Sequence, residues 1–463
     1  MRVSTEFAPQ SVRARESEHA IGPQANLIPL KELKRACTQN RAWVSVGGLV
    51  YDLTEFYRRH PGGQDFILLA AGKDVTKLFE AYHGQKQHQV LQKYQIGLLA
   101  GQDVPSFPPP DNFSLAVKRR VDDYFKSSRL DPKESTGTCQ RYLLTAVGIW
   151  FLYGLQWLLP SESFWRFYLI SAAHGATISQ YCVTAVHDGS HGAIGHNPTF
   201  WKLLLTGHDF FVGTSSTLWT YQHVLSHHIF TNVDGFDTDI ETVEVEYRRI
   251  KKTQKYFGFY RFQSIYSPFL YVLLGCSVRI KDLVFYFTGR RGPLQVNPFT
   301  PQQRVIFWGG KLFFFMTRIY LPLLWGASVS RVLSAFFVAD FTLSIILALI
   351  FQATHVVDTA AFPQVNPKTG DIDEDWARLQ VETAQDYGHD QALTTFISGS
   401  LNYQVVHHLF PYVAQEHLPA VAKIVRETAK EYGVKYEIKD SLWAAIGGHI
   451  GLLRLLGTPP HSH

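Results

Sequence analysis

The length of its apolar blocks constrains this chain more than any other feature. Residues 141–186 and 303–355 are dominated by Leu, Phe, Ile, Val, Trp and Ala, whereas the first hundred residues have the mixed composition of a water-soluble domain. A helix crossing a bilayer core needs about 20 mostly apolar residues. Four segments come close to that: 142–159, 164–186, 305–326 and 332–353. Lys311 and Arg318 interrupt the third and Asp340 the fourth, and charges at such depth are expected to face protein rather than lipid. Segments 200–219 and 256–276 are apolar but interrupted, a pattern that fits helices lying at the interface. Four spans form two hairpins, so the residues after the second span and those after the fourth emerge on the same side as the N-terminus. Residues 1–25 contain no apolar core of the signal-peptide kind and read as a flexible tail.

Charge and cysteine use narrow the surroundings. The net charge is +5, with basic residues grouped in RRIKKTQK (248–255), RIK (279–281) and GRR (289–291), between the apolar blocks. Such groups beside spans fit the cytoplasmic face of a membrane, and no nucleic-acid partner is expected. Cys37, Cys139, Cys182 and Cys276 show no CxxC spacing, so a reducing compartment is the expectation.

Residues 26–100 read as a small α+β unit. LIPLKELKRAC is helical in pattern, and AWVSVGGLVYDL gives two strands around a Gly47-Gly48 turn. TEFYRRHPGGQDFILLAAGKDVTKLFEAYH gives short helices broken at Pro61-Gly62-Gly63 and at Gly72. The Pro-rich stretch GQDVPSFPPPDN opens a linker over 101–140. Residues 141–455 then form the membrane domain, and 456–463 a short tail.

Chemistry concentrates in the histidines. HDGSH (187–191) and HVLSHH (223–228) place His187 with His191, and His223 with His227, four residues apart on one helical face, with His228 alongside. Imidazoles at that spacing can present nitrogens to one metal. VVHH (405–408) supplies His407 and His408, and THVVDT supplies His355 at the end of the fourth span. Gln404 precedes His407 and His408 by three and four residues on the same helical face. A single such pair is weak evidence. Three clusters and His355, all delivered to one membrane face by the hairpin count, are not what scattered core histidines predict. Imidazole suits iron, copper, nickel and zinc alike. Only Glu80 to His83 has the ExxH spacing of soluble carboxylate-bridged di-iron bundles, so that type of site is not expected. Asp188, Asp237 and Asn402 are candidates for orienting an imidazole, and DGFDTDIE lacks the glycine spacing of a calcium loop. His174, His196, His208, His389, His417 and His449 have no neighbour at ligand spacing and are read as packing or hydrogen-bonding residues.

Two resemblances gather these features. VYDLTEFYRRHPGG followed by AGKDVTKLFEAYH resembles cytochrome b5. The resemblance implies haem b held by His60 and His83 from opposite faces, with Phe56 and Phe79 in its apolar pocket. The His60–His83 interval is one residue shorter than expected for the stand-alone family, which leaves His88 as a second candidate. Bis-imidazole ligation leaves no open position and suits electron transfer. From about 141 to 455 the three histidine boxes, TNVDGFDTD, QVETAQDYG and HHLFP resemble the membrane fatty acyl desaturases, whose boxes hold two non-haem irons. The fused haem module and the glutamine opening the third box are similar to the front-end desaturases and their sphingolipid-base relatives.

The resemblance implies His187, His191, His223, His227, His228, His407 and His408 as iron ligands, with His355 as an eighth. Gln404 is implied as a ninth, or as a holder of water at one iron. An unactivated methylene has no acidic proton, so acid–base residues alone cannot remove its hydrogens, whereas iron with O2 as co-substrate can. The expected fold is a small α+β haem domain fused to an all-α integral membrane domain with four transmembrane helices and a cytosolic histidine-rich cap. The expected activity is front-end desaturation of a polyunsaturated acyl chain, Δ5 on C20 chains. A sphingolipid long-chain-base desaturase, a lipid hydroxylase and a non-enzymatic haem-bearing membrane binding protein are the alternatives. Expected partners are a fatty acyl substrate carried on CoA or phospholipid, cytochrome b5 reductase or a similar donor, and membrane lipids. The expected location is the endoplasmic reticulum membrane, multi-pass, with N-terminus and active site cytosolic.

Overall fold

The computed structural model describes residues 26–158, 163–240 and 246–459. The tail over 1–25, the end of the tail over 456–463 and residue 159 of the first expected span lie outside the described residues. The chain divides into two compact units, one reaching His60 and resuming over Gln64–Pro105, the other made of Pro61–Gly63 and Ser106 onward.

The smaller unit is built on a five-stranded sheet: β1 (Leu27–Pro29), β2 (Cys37–Thr38), β3 (Arg41–Val46), β4 (Leu49–Asp52) and β5 (Gln95–Ala100), in the order β1-β5-β4-β3-β2. β3 and β4 form a hairpin in which Val46 faces Leu49. Its two turn residues, Gly47 and Gly48, have φ of 60° and 78°, the left-handed pair that matches the strands' twist. β1 runs parallel to β5, so close to it that a Cβ on Gly97 would lie 2.2 Å from the Asn26 carbonyl oxygen. Ile28, Leu33 and Val50 form the core under the sheet. Short helices Gln64–Ala70, Thr76–Tyr82 and Gln85–Gln92 fill the span between β4 and β5.

The larger unit is helical. Helices lie at all four segments read as spans: Thr136–Trp157, Phe164–Tyr181, Pro301–Phe315 and Val329–His355. Among the described residues only Val329–His355, 27 residues, is by itself long and apolar enough to cross a membrane. The third segment runs on through a π-turn, Met316–Tyr320, into a final turn, Leu321–Leu324, and Lys311 and Arg318 shorten its apolar run. Helix Phe164–Tyr181 packs against both Thr136–Trp157 and Val329–His355. At the second crossing a Cβ on Gly175 would lie 2.1 Å from the Ala339 carbonyl oxygen, so the backbones approach as closely as a small residue allows. The charges in the apolar segments face protein, as expected: Asp340 pairs with Arg279 at 2.6 Å, and Lys311 with Asp282 at 3.1 Å. Arg318 Nη1 lies 2.9 Å from His174 Nδ1.

Beyond these helices a polar-faced layer closes over the histidines. Helix Asn112–Ser128, capped by Asp111, buries Phe113, Val117, Val121 and Phe125 against Val405, Val406 and Leu409 of helix Gln404–Leu409 and Val421 and Val425 of helix Leu418–Glu431. Fully burying side chains of that size stabilises by about 1.5–3 kcal/mol each. This core holds the third histidine box rigidly.

Candidate metal centre and haem site

Helix Phe164–Tyr181 continues through a π-turn, Cys182–Val186, into the single helical turn His187–His191, which carries the first box beyond the apolar helix. The second box is itself a π-turn, His223–His227, following helix Ser216–Gln222. His228 N donates to the His223 carbonyl at 3.0 Å, five residues back. His223 and His227 are neighbours as the sequence pattern suggests, their rings stacked 5.5 Å apart and both close to Asp239. One extra residue in the turn also brings His228 to His223, with Nε2 atoms 3.3 Å apart, and lets His227 reach His355 and His408. π-turns concentrate at functional sites for this reason.

The result is two adjacent groups of imidazoles, bridged by a third in which His223 and His227 meet Asp239. Ring nitrogens of His187, His191, His223 and His407 lie within 4.8 Å of one another, and so do those of His227, His355 and His408. His228 sits between them, with its Nε2 3.1 Å from His407 Nε2 and its ring stacked 4.2 Å from that of His408. All are buried. Gln404 joins the second group, its amide nitrogen 2.9 Å from His355 Nε2 and 3.1 Å from His408 Nε2.

Hydrogen bonds behind the rings decide which nitrogen faces inward. His227 Nδ1 donates to Asp237 at 2.9 Å, His408 Nδ1 to Gln380 Oε1 at 2.8 Å, and His355 Nδ1 to the Thr383 carbonyl at 3.2 Å. With Nδ1 protonated, each Nε2 is left with its lone pair. His223 Nδ1 meets Asp239 at 3.2 Å, and His187 Nδ1 meets Asp188 at 3.5 Å. Asp188 in turn accepts from Tyr142 and from Gln415 at 2.9 Å. His187 Nε2 and Gln404 Oε1, both buried, have no hydrogen-bond partner. Buried polar atoms without partners are costly, and both belong to residues of the histidine cluster. A pair of first-row metal ions fits this donor set.

Electrostatics agree. Burial and the neighbouring imidazoles hold His191, His228, His407 and His408 well below the usual histidine range, and burial takes His223 down to about 4. They are therefore neutral, the form that ligates metal. His227 is the exception: burial pushes it down, but Asp237 and Asp239 carry it above its ordinary value. Those carboxylates favour a positive charge at that ring, which a proton or a bound cation supplies.

The sequence missed Asp239, Gln380 and the Thr383 carbonyl. Asp237 and Asp239 were visible as alternating carboxylates after the second box, but nothing in LQVETAQDYG singles out Gln380. Asn402 serves the loop instead, its Nδ2 donating to the Tyr387 carbonyl at 3.2 Å and to Thr395. His196, His389 and His449 pair with Asp131, Asp386 and Tyr271, away from the two groups.

In the smaller unit the rings of His60 and His83 face each other with centroids 6.0 Å apart. Bonds of about 2 Å from each imidazole to a shared metal would leave centroids about 6 Å apart. Phe56 packs edge-on against His60, and Phe79 stacks on His83 at 4.4 Å. His88 contacts Phe79.

Residues 163–439 match the fatty acid desaturase family, and residues 29–100 match the cytochrome b5-like haem/steroid binding domain. The chain belongs to the fatty acid desaturase family. An acyl-lipid (8-3)-desaturase of Mortierella alpina is 42% identical over 94% of this chain and 98% of its own length. Delta(5) fatty acid desaturase A of Dictyostelium discoideum is 37% identical over 93% of each chain. Among solved structures, the cytochrome b5 of Ostreococcus tauri virus 2 is 33% identical, covers 16% of this chain and 95% of its own, and has a TM-score of 0.15. This desaturase is an oxygen-dependent oxidoreductase of the front-end type, with a fused haem-binding cytochrome b5 domain and histidine clusters that fit a di-iron site.

Carboxylates behind the rings are testable within that site. Asp237→Asn keeps the shape but loses the charge that favours a cation at His227. Iron affinity or turnover is expected to fall by about 10–100-fold, measured as iron content and product formed under matched expression.

Proposed function

We propose that this desaturase introduces a cis Δ5 double bond into C20 polyunsaturated acyl chains, taking electrons one at a time from its own haem. The chain would sit in the endoplasmic reticulum membrane through four spans, with N-terminus and active site on the cytosolic side. An external reductase such as cytochrome b5 reductase would reduce the haem, and CoA or a phospholipid would carry the acyl chain. The convergence of three boxes and His355, from segments more than 200 residues apart, into neighbouring groups of buried imidazoles supports the site. The similarity to relatives named Delta(5) and (8-3) desaturases supports the position of the double bond.

In this reading His187, His191, His223 and His407 hold one iron, and His227, His355 and His408 the other, with His228 between them. When bound, the two irons with O2, two electrons and two protons would take two hydrogens from adjacent methylenes, leaving a cis double bond and two waters. The chain's own residues do the rest. Asp237, Asp239, Gln380 and the Thr383 carbonyl fix the imidazole tautomers, and the buried position of the centre keeps bulk water away. Gln404, a neutral amide beside His355 and His408, makes the two positions inequivalent, either as a weak ligand through Oε1 or by holding a water. Gln404→Ala is expected to lower turnover by about tenfold or more. Full turnover with full iron content would remove Gln404 from the site. His60 and His83 hold the haem.

The reading is tested by expression in a host without polyunsaturates, fed defined C18, C20 and C22 acids, with lipid analysis by mass spectrometry. A new Δ5 bond in fed C20 chains is the expected product. A double bond in sphingoid bases and none in any fed acid would overturn it, as would a hydroxyl in place of the double bond.

A further inference from the structure

Just past the second histidine box lie two wholly buried polar residues, Thr231 and Asn232. Asn232 has φ of 58°, a left-handed conformation that glycine takes most easily and asparagine better than most other residues. Glycine would serve the backbone there, so the side chain needs a reason of its own. Its Nδ2 lies 2.9 Å from the His355 carbonyl oxygen, 3.0 Å from that of Ala361 and 3.1 Å from that of Thr383. Carbonyl oxygens only accept, so the amide nitrogen must face them, its two protons shared among three acceptors. Oδ1 is left buried with no partner among the described residues, a cost that an apolar residue would not incur.

Two of those carbonyls belong to the metal centre. The Thr383 oxygen also accepts from His355 Nδ1, so Asn232 holds both the helix end that carries this ring and the acceptor that orients it. The Asn232 backbone N–H donates to Asp237 Oδ2 at 2.8 Å, the same oxygen that meets His227 Nδ1.

Thr231 completes the set. Its Oγ1 lies 2.7 Å from the His227 carbonyl oxygen, 2.7 Å from Gln380 Oε1 and 3.1 Å from His408 Nδ1. The hydroxyl proton serves the two oxygens, and a lone pair is left for the His408 N–H, which Gln380 also accepts. All three rings of one group, His227, His355 and His408, are thus oriented by partners that this dipeptide holds. In the other group His187 and His223 turn to Asp188 and Asp239, and among the described residues neither the Thr231 nor the Asn232 side chain bonds to those carboxylates. Partners behind the rings set how well imidazoles are held for a metal.

We propose that Thr231 and Asn232 are positioning residues for one metal position alone: they hold His227, His355 and His408 in place, so that their loss weakens that position and spares its neighbour. The inference rests on the reading of the two groups as two iron positions.

The test uses the metal-free full chain with its haem in place, dialysed without oxygen against ferrous iron at stepped free concentrations, and reads non-haem iron per haem. Wild type is expected to take up two. Asn232→Gly, which accepts the left-handed backbone and loses only the amide, is expected to bind one iron as wild type does and the other about 10–100-fold more weakly. Thr231→Val, similar in shape but without the hydroxyl, is expected to do the same, and Thr231→Ser, which keeps the hydroxyl, to bind both as wild type does. The valine and serine pair provides the test if the glycine variant does not fold. Two backgrounds assign the weakened position. Added to His191→Ala, Asn232→Gly or Thr231→Val is expected to weaken the remaining iron, and added to His408→Ala to leave it unchanged. Equal weakening of both irons, the mark of a general loss of structure, would overturn the proposal, as would wild-type affinity for both in Asn232→Gly and Thr231→Val. Wild type binding fewer than two irons would overturn the reading of the two groups instead.

Discussion

His408→Ala is expected to abolish desaturation, by about 10³-fold or more, while removing one of the two non-haem irons and leaving the haem in place. His408 belongs with His227 and His355. Its Nδ1 is committed to Gln380 and its Nε2 faces the centre, so alanine removes a lone pair that nothing nearby replaces. Val405, Val406 and Leu409 around it are part of a well-packed core, and a buried histidine lost from such a helix leaves a cavity but not a missing helix. His191→Ala is expected to give the same loss of turnover while removing the other iron, because His191 groups with His187, His223 and His407. The pair of variants therefore separates the two groups. Iron analysis of each single variant and of the double reads the outcome directly: about one, one and none. A single variant retaining both irons would show that the grouping is wrong.

The second large effect is expected in the other unit. His60→Ala and His83→Ala should each prevent stable haem binding, seen as loss of the haem absorption band. Turnover should fall to near zero when no separate cytochrome b5 is supplied, because each removes one of two facing imidazoles and bis-imidazole ligation needs both. His88→Ala should keep its haem and most of its activity, since His88 contacts Phe79 rather than His60. Haem loss in His88→Ala and retention in His83→Ala would reverse the assignment of the second ligand. Adding free cytochrome b5 to His60→Ala should restore part of the turnover if the desaturase centre is intact, which separates loss of the electron supply from loss of the site.

Much of this was legible in the residues themselves. The Gly47-Gly48 hairpin, the helix breaks at Gly63 and Gly72, and the inward-facing charges Asp340 and Lys311 all follow from local rules that the surroundings do not override. The convergence of the histidine boxes, with His187, His223 and His407 in one group and His355 in the next, was legible in their recurrence along the chain. The second box was legible in part. Helical periodicity sets His223 beside His227, and the two do stack and share Asp239, but the π-turn also brings His228 to His223, and nothing in HVLSHH announces the extra residue in the turn. The residues behind the rings were equally hidden. Gln380 reaches His408 only because helix Trp376–Glu382 packs against helix Gln404–Leu409, a tertiary fact with no sequence period. Segment 305–326, interrupted in composition by Lys311 and Arg318, runs as a helix over most of its length that widens into a π-turn at Met316–Tyr320, a local widening that apolar content does not report.

The account stands most directly on the metal content of the purified full chain. It predicts about two non-haem irons and one haem per chain in protein that desaturates a fed acyl lipid. Active protein containing haem but no non-haem iron, or saturating at a single iron, would contradict it.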